Sequence, residues 1–232
     1  MGEWEMGKVR FQRFLSRTMF ILVILVVFCV QAALSTHGTD VSSLTSASAY
    51  SCLKDNGFSF TVVRAYKSGG AVDANAVQTI ANAWEGGQKN VDAYLFPCVA
   101  SCDGKKSAAQ QIQETHSYLS NSKYGMLWLD IEGTQYWYSD TNKNVQFIQD
   151  LITETQALNM TIGIYTSNNS WTPITGSSTK FGNLPLWYPH YENTPNPSYS
   201  DWKPFGGWKS PSIKQYKGTT SICGASVDEN FY

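Results

Sequence analysis

The sequence predicts an α/β fold: an eight-stranded barrel whose outer helices are missing from its second half. Three observations predict it. Short runs rich in Val, Ile, Tyr and Trp recur along the chain after residue 35, each bounded by Gly, Asn, Ser or Pro. Between the first five of these runs, apolar residues recur at helical spacing, and strand–helix alternation implies parallel pairing through right-handed crossovers. After the fifth run, the connections 168–183, 192–211 and 218–225 become rich in Ser, Thr, Asn, Gly and Pro and lose the helical period.

Taken in order, the run 38–42 leads into 43–55, which opens on a Ser/Thr-rich cap and closes at Asn56-Gly57. The run 60–66 leads into 73–86, with Val77, Ile80, Ala81 and Trp84 on one helical face before Gly86-Gly87. The run 91–98 precedes 106–121, where Ala109, Ile112, His116 and Leu119 align. The run 125–132 precedes 140–158, where Val145, Ile148, Leu151 and Ile152 cluster ahead of Asn159. The runs 161–167, 184–191, 212–217 and 226–232 complete the eight. Several are almost continuously apolar, as strands covered on both faces should be. No repeat or linker divides residues 36–232, which read as one domain.

Residues 1–35 read differently. Lys8, Arg10, Arg13 and Arg17 precede an unbroken apolar run of 12 residues at 19–30, followed by the small residues Ala32, Ala33 and Ser35. The run is short of the ~20 residues a membrane span needs. A basic flank, a short apolar core and small residues at the end match a secretory signal peptide; an uncleaved signal anchor is the alternative, given the long leading segment. An N-terminal Met-Gly invites a myristoylation reading, but Met6 stands where that motif needs Ser or Thr. The chain is therefore expected to be secreted or lysosomal/phagosomal, with no stable membrane association once the leader is removed. Four of the 17 basic but only two of the 18 acidic side chains fall in the leader, so the net charge of −1 conceals a mildly acidic remainder. That excludes a nucleic-acid-binding surface built on excess positive charge.

Secretion gives the cysteines their meaning. Cys52, Cys98, Cys102 and Cys223 lie outside the leader, and four cysteines in an oxidising compartment imply two disulfides with three possible connectivities. A local Cys98–Cys102 clasp with a Cys52–Cys223 tie between the chain's two ends is the favoured pairing. A zinc site is the alternative, but His37, His116 and His190 are scattered and the spacing matches no zinc pattern, so no metal is expected. Asn159-Met-Thr and Asn168-Asn-Ser are glycosylation sequons, which would place both asparagines on the surface.

The chemistry is expected at the strand C-termini, where barrel loops open. There the segment Trp128-Leu-Asp130-Ile-Glu132-Gly carries two acids on one face of a strand end, with Cα atoms roughly 6.5–7 Å apart. Crowding two carboxyls into an aromatic site raises the pKa of at least one, which supplies the protonated acid that glycosidic cleavage needs. Any strand end can carry two solvated acids, so the pair gains meaning from company. Asp40 ends the first strand and Asp228 lies in the last, and these strands are neighbours in a closed barrel. Each alone reads more readily as a turn or capping residue than as a functional one. Tyr66, Tyr94, Tyr165, Trp187, Tyr188 and Tyr216 sit in or at the ends of the runs, where core packing accounts for about half of them and sugar-ring stacking suits the others. Trp137, Trp171, Trp202 and Trp208 fall in the connections, where large apolar residues must be covered or used. No Gly-rich phosphate loop, serine nucleophile elbow or Cys–His catalytic arrangement is present.

With these residues assembled, Thr39-Asp40-Val-Ser, Leu-Asp130-Ile-Glu132-Gly, Ile-Gly-Ile-Tyr165-Thr-Ser, Leu-Trp187-Tyr and Val-Asp228-x-Asn-x-Tyr resemble glycoside hydrolase family 25, in particular its nematode and protist lysozymes. The resemblance runs in order from about residue 37 to the C-terminus. It implies an irregular (β/α)5(β)3 TIM-like barrel and hydrolysis of the β-1,4 bond between N-acetylmuramic acid and N-acetylglucosamine in peptidoglycan. It implies Glu132 as the general acid, and Asp130 as the carboxylate that steadies the substrate's own N-acetyl group in a retaining path. An inverting path, with a carboxylate activating water, is the alternative. Asp40 and Asp228 match flanking acids that position substrate and tune Glu132. Tyr94, Tyr165, Trp187 and Gln215 match groove residues, and Tyr66 joins them as a strand-end aromatic. The stretch Tyr188-Pro-His190-Tyr departs from the family pattern of a small residue and a glutamine. No cofactor is implied, and the expected state is a monomer acting on cell-wall peptidoglycan. The competing readings are a barrel that binds peptidoglycan or chitin without cutting it, and a chitinase. Met126, Leu127 and Trp128 stand where a chitinase would carry further upstream acids.

Overall fold

The structure, a computed structural model, describes residues 36–192 and 194–232, so the leader expectation for 1–35 lies outside the described residues. The strands are β1 (His37–Val41), β2 (Phe58–Lys67), β3 (Ala71–Val72), β4 (Asn90–Leu95), β5 (Met126–Asp130), β6 (Thr161–Tyr165), β7 (Leu186–Pro189), β8 (Ile213–Ile222) and β9 (Ala225–Phe231). The helices are α1 (Ala47–Asp55), α2 (Ala76–Glu85), α3 (Ala108–Tyr118), α4 (Thr141–Ala157) and α5 (Asn168–Thr175). Sheet order is β1-β9-β8-β7-β6-β5-β4-β2-β3, and a β1–β2 pairing closes eight of these strands into a barrel, with β3 a short appendage on β2. Around the ring pairing is parallel from β1 to β8, while β9 runs antiparallel between β8 and β1 and the appended β3 antiparallel to β2. Five strand–helix units followed by three strands give the expected TIM-like architecture.

Side-chain alternation divides the apolar residues into two layers. Facing inward, Phe60, Val62, Trp128, Tyr165, Trp187 and Ile213 form a small aromatic plug. Facing outward, Val63, Ala65, Ala93, Leu95, Leu127, Leu129, Ile162 and Ile164 join the inner faces of the helices. Strands buried on both sides explain the continuous apolar runs. Gly163 pairs with Trp128, and a Cβ there would lie 2.4 Å from the indole, so only glycine lets that ring fill the barrel's interior.

Helix starts follow local chemistry. Ser46, Asp140 and Ser167 accept backbone N–H bonds as N-caps of α1, α4 and α5, and Ser107 with Gln110 forms a reciprocal capping box at α3. The buried face of α3 is Ala108, Gln111, Ile112 and Thr115, whereas Ala109 and His116 lie half-exposed, one position round from the expected stripe. Gln111 explains the rotation: its side chain exchanges two hydrogen bonds with the Cys98 backbone, of 2.9 and 2.7 Å, and needs a buried position.

The segment 168–183 is not helix-free, and α5 is the correction. Its Asn-Asn-Ser start and internal Pro173 hide an eight-residue helix that burial of Trp171 and Ile174 holds in place. The described residues of 192–211 form no helix and cover their side of the barrel with aromatics. Trp202 packs on Tyr188 at 4.9 Å between ring centres, Phe205 on Trp208 at 5.4 Å, and Trp208 on Trp171 at 4.9 Å. The tryptophans of the connections are thus covered rather than exposed: Trp137, Trp171 and Trp208 are buried and Trp202 half-buried.

Cys52–Cys223 and Cys98–Cys102 are disulfide-bonded, the favoured pairing. The first spans 171 residues and ties α1 to the β8–β9 turn. Closing so long a loop removes much denatured-chain entropy, so the Cys52→Ser/Cys223→Ser double variant is expected to lose about 3–5 kcal/mol in urea unfolding. A loss below about 1 kcal/mol would count against that cross-link as a main stabiliser.

Candidate active site

Barrel geometry brings the four acids together from the two ends and the middle of the chain. Asp40 at the end of β1 is the direct antiparallel partner of Asp228 in β9, so the two side chains share a face. On β5 the positions 128 and 130 point inward, and Glu132 continues that alternation two residues past the strand. Gly133 then turns the chain with a φ of +65°, and a Cβ there would lie 2.7 Å from Tyr136. The Trp137 indole donates to the Glu132 carbonyl at 2.9 Å, fixing the backbone that presents this acid.

The floor beneath the acids is polar and hydrogen-bonded. Asp40 Oδ2 accepts from Gln215 Nε2 at 2.7 Å and from Asn230 Nδ2 at 2.7 Å, and Gln215 Nε2 also reaches Asp228 Oδ2 at 3.1 Å. The Gln215 carbonyl accepts from the hydroxyls of Tyr165, at 2.8 Å, and Tyr191. Asn230 Oδ1 accepts the Trp187 indole N–H at 2.7 Å. Trp187 is the centre of the aromatic plug, with Tyr165, Trp128 and Tyr94 at 4.6, 5.9 and 6.1 Å between ring centres. Asp130 is buried, and its Oδ1 has no hydrogen-bond partner among the described residues.

Burial dominates the electrostatics. It raises the Asp130 carboxyl well above the carboxylate range, aided by Glu132 and Asp40, while Arg64 pulls the other way. Asp40 is pushed up to about 8 by burial and by Asp228, against the two amide hydrogen bonds. Glu132 is raised by burial and by Asp228, and Asp228 by its own burial. Four acids therefore share fewer than four negative charges at neutral pH. Arg64 is held from the side by Asp73 at 2.8 Å and the Ser42 carbonyl at 2.6 Å.

A cleft of about 800 Å³ opens beside this group, lined by Glu132 and Tyr165, by Asn168 and Asn169 of α5, and by His190, Tyr191, Asp201 and Lys203 beyond β7. Tyr94, Trp187 and Gln215 sit beneath the acids; Trp187 and Gln215 are 2 % exposed, so they brace the floor. Tyr66 is not brought to the cleft. A register shift between Arg64 and Tyr66 turns the next residue outward, where Tyr66 is fully buried with its hydroxyl on Glu114 at 2.9 Å. No sequence pattern marks that bulge. Of the sequon asparagines, both are exposed, Asn159 at the end of α4 and Asn168 on the cleft.

Sequence reasoning did not assign Asn230, Tyr191, Trp137 or Arg64 to the site. Strand alternation from Asp228, from Trp187 and from Val62 would have found Asn230, Tyr191 and Arg64; nothing local signals the role of Trp137.

A family model described as Lysozyme-like protein 1 matches residues 31–216. The chain is 41% identical over 214 residues to Probable GH family 25 lysozyme 2 of Dictyostelium discoideum, covering 92% of this chain and 99% of that one. The chain belongs to glycoside hydrolase family 25. Lysozyme-like protein 5 of Caenorhabditis elegans is 37% identical over 216 residues, covering 91% of this chain and 97% of its own. The muramidase of Acremonium alcalophilum shares the fold with a TM-score of 0.66, at 23% identity and over 84% of this chain and 92% of that one. As a family 25 lysozyme the chain is a glycoside hydrolase, and its acid-lined barrel mouth suits that chemistry.

Proposed function

We propose that this family 25 lysozyme is an N-acetylmuramidase that cuts the β-1,4 bond between N-acetylmuramic acid and N-acetylglucosamine in bacterial peptidoglycan. The observation that carries this reading is a half-buried acid of raised pKa, Glu132, opening onto a cleft beside a buried carboxylate with an unmet oxygen, Asp130. In the first step the substrate's N-acetyl carbonyl oxygen attacks the anomeric carbon while the glycosidic C–O bond breaks, and Glu132 gives its proton to the departing oxygen. Asp130 accepts the acetamide N–H, which holds the carbonyl on the reacting face and balances the charge that develops on the ring formed. In the second step Glu132 takes a proton from water, whose oxygen adds to the anomeric carbon and reopens the ring. Two inversions give net retention. Asp228 keeps Glu132 protonated by adding negative charge nearby, and the Gln215 and Asn230 amides hold Asp40 in place beside it.

NMR of the first product released from a muramyl glycan tests the path: the β anomer is expected, and an initial α anomer would replace it with direct attack by water. The same reading places the enzyme in the secretory pathway, delivered outside the cell or to a lysosome or phagosome by residues 1–35, with glycans on Asn159 and Asn168.

A further inference from the structure

The cleft has a feature that the hydrolytic steps do not use. Beyond β7, His190, on the Tyr188–Tyr191 stretch that departs from the family pattern, lines it together with Asp201 and Lys203. His190, Glu192 and Asp201 have the composition of a metal site, but a lysine already fills it. Lys214 is fully buried and its ammonium donates to Asp201 Oδ1 at 2.7 Å and to the Ser198 carbonyl at 2.9 Å, with Glu192 Oε2 at 3.9 Å. The charge of Asp201 is thereby neutralised from below, and its other oxygen, Oδ2, faces His190 Nε2 at 3.3 Å. The His190 ring is held from the other side by stacking on Tyr188 at 5.5 Å and 11°. Lys203 is exposed, lines the same cleft, and has no ion-pair partner among the described residues. The outcome is a wall that offers an oriented imidazole and an unpaired ammonium, in a cleft whose acidic lining residues are Glu132 and the Lys214-paired Asp201.

We propose that His190 and Lys203 form a carboxylate-recognition subsite that reads the acid carried by muramyl residues. This rests on the muramidase reading above and goes beyond it by assigning what distinguishes the substrate from an uncharged chitin-type glycan. A neutral sugar hydroxyl has little use for an unpaired ammonium, whereas a carboxylate gains a charge-assisted hydrogen bond from each donor. Two parts of the glycan could supply it: the free lactyl carboxylate of a stem-free strand, or a carboxylate of the stem peptide.

Binding tests this independently of turnover. In the Glu132→Gln chain, calorimetry compares a stem-free muramyl tetrasaccharide, its lactyl methylamide and the stem-bearing tetrasaccharide. At least one carboxylate-bearing ligand is expected to bind tenfold or more tighter than the methylamide. That preference falls to within twofold when His190→Gln and Lys203→Gln are added, and it survives Lys203→Arg. A variant-sensitive preference for the stem-free acid assigns the lactyl group, and one confined to the stem-bearing ligand assigns the peptide. Lys203→Gln alone, on an exposed side chain, covers the case in which the double change disturbs folding and is expected to lose a threefold or larger part of the preference. A preference that survives these substitutions, or equal affinity for all three ligands, overturns the subsite. Carboxylate-dependent binding in a protein that cleaves none of the strands would instead fault the muramidase reading and leave the subsite standing.

Discussion

Replacing Glu132 by Gln is expected to lower kcat on muramyl glycans by about 10²- to 10⁴-fold, the usual range for a lost general acid. KM is expected to change by less than about threefold. Glutamine keeps the shape and the Trp137-anchored backbone but has no proton to give to a departing sugar oxygen. The wild-type pH profile carries the same information. Burial and the nearby Asp228 raise Glu132, so the proton is held above the ordinary glutamate range and activity falls on the alkaline side as it leaves. Because Asp228 contributes to that rise, Asp228→Asn is expected to move the alkaline limb to lower pH. A Glu132→Gln chain that lyses walls at near wild-type rate would remove this residue from the mechanism.

Asp130→Asn is expected to separate activity from stability. Turnover should drop about 10²-fold or more, because the amide cannot balance the charge that builds on the substrate's N-acetyl group. The fold, by contrast, should gain. Asp130 is 4 % exposed with an unmet oxygen, and burial, Glu132 and Asp40 all raise its pKa. A carboxyl raised in the folded state penalises folding only where the unfolded chain would be ionised. The penalty is therefore absent below about pH 4, the unfolded carboxylate range, and grows as pH rises toward the folded value. The neutral isostere escapes it, so urea unfolding at pH 7 should show a gain of about 0.5–2 kcal/mol and at pH 3.5 almost none. Equal effects at both pH values would mean that the carboxylate is not a strained group.

Much of this site is legible from residues alone, for identifiable reasons. Asp130 and Glu132 stand two apart at the end of a doubly covered strand, and alternation alone sends both inward. Asp40 and Asp228 require barrel closure, which the number of apolar runs already implies. What stays hidden is whatever depends on a local break in regularity or on a contact distant in sequence. The bulge after Arg64 moves Tyr66 from the cleft to the outer core without any sequence cue. The helix α5 is masked by Asn168, Asn169 and Pro173 and exists because Trp171 and Ile174 have a core to enter. Strand β8 runs to Ile222, beyond the expected end at 217, because its polar continuation pairs with β9 and needs no apolar face. The Lys214–Asp201–His190 arrangement joins residues that are each unremarkable in sequence.

The antiparallel strand β9 has a consequence for when the enzyme can work. Asp228 and Asn230 lie on the last strand and Asp40 on the first, so one carboxyl and the amide that anchors it are separated by 190 positions. During synthesis the strands β1 to β8 can meet their parallel neighbours one after another, yet the ring stays open until residues 225–231 arrive. Pairing of such distant segments is slow, because the closure entropy precedes the contacts that repay it. A nascent or partly folded chain therefore holds Glu132 and Asp130 without the neighbours that tune them. Ring closure thus completes the acid cluster, and the Cys52–Cys223 cross-link joins the same two ends of the chain that this closure brings together.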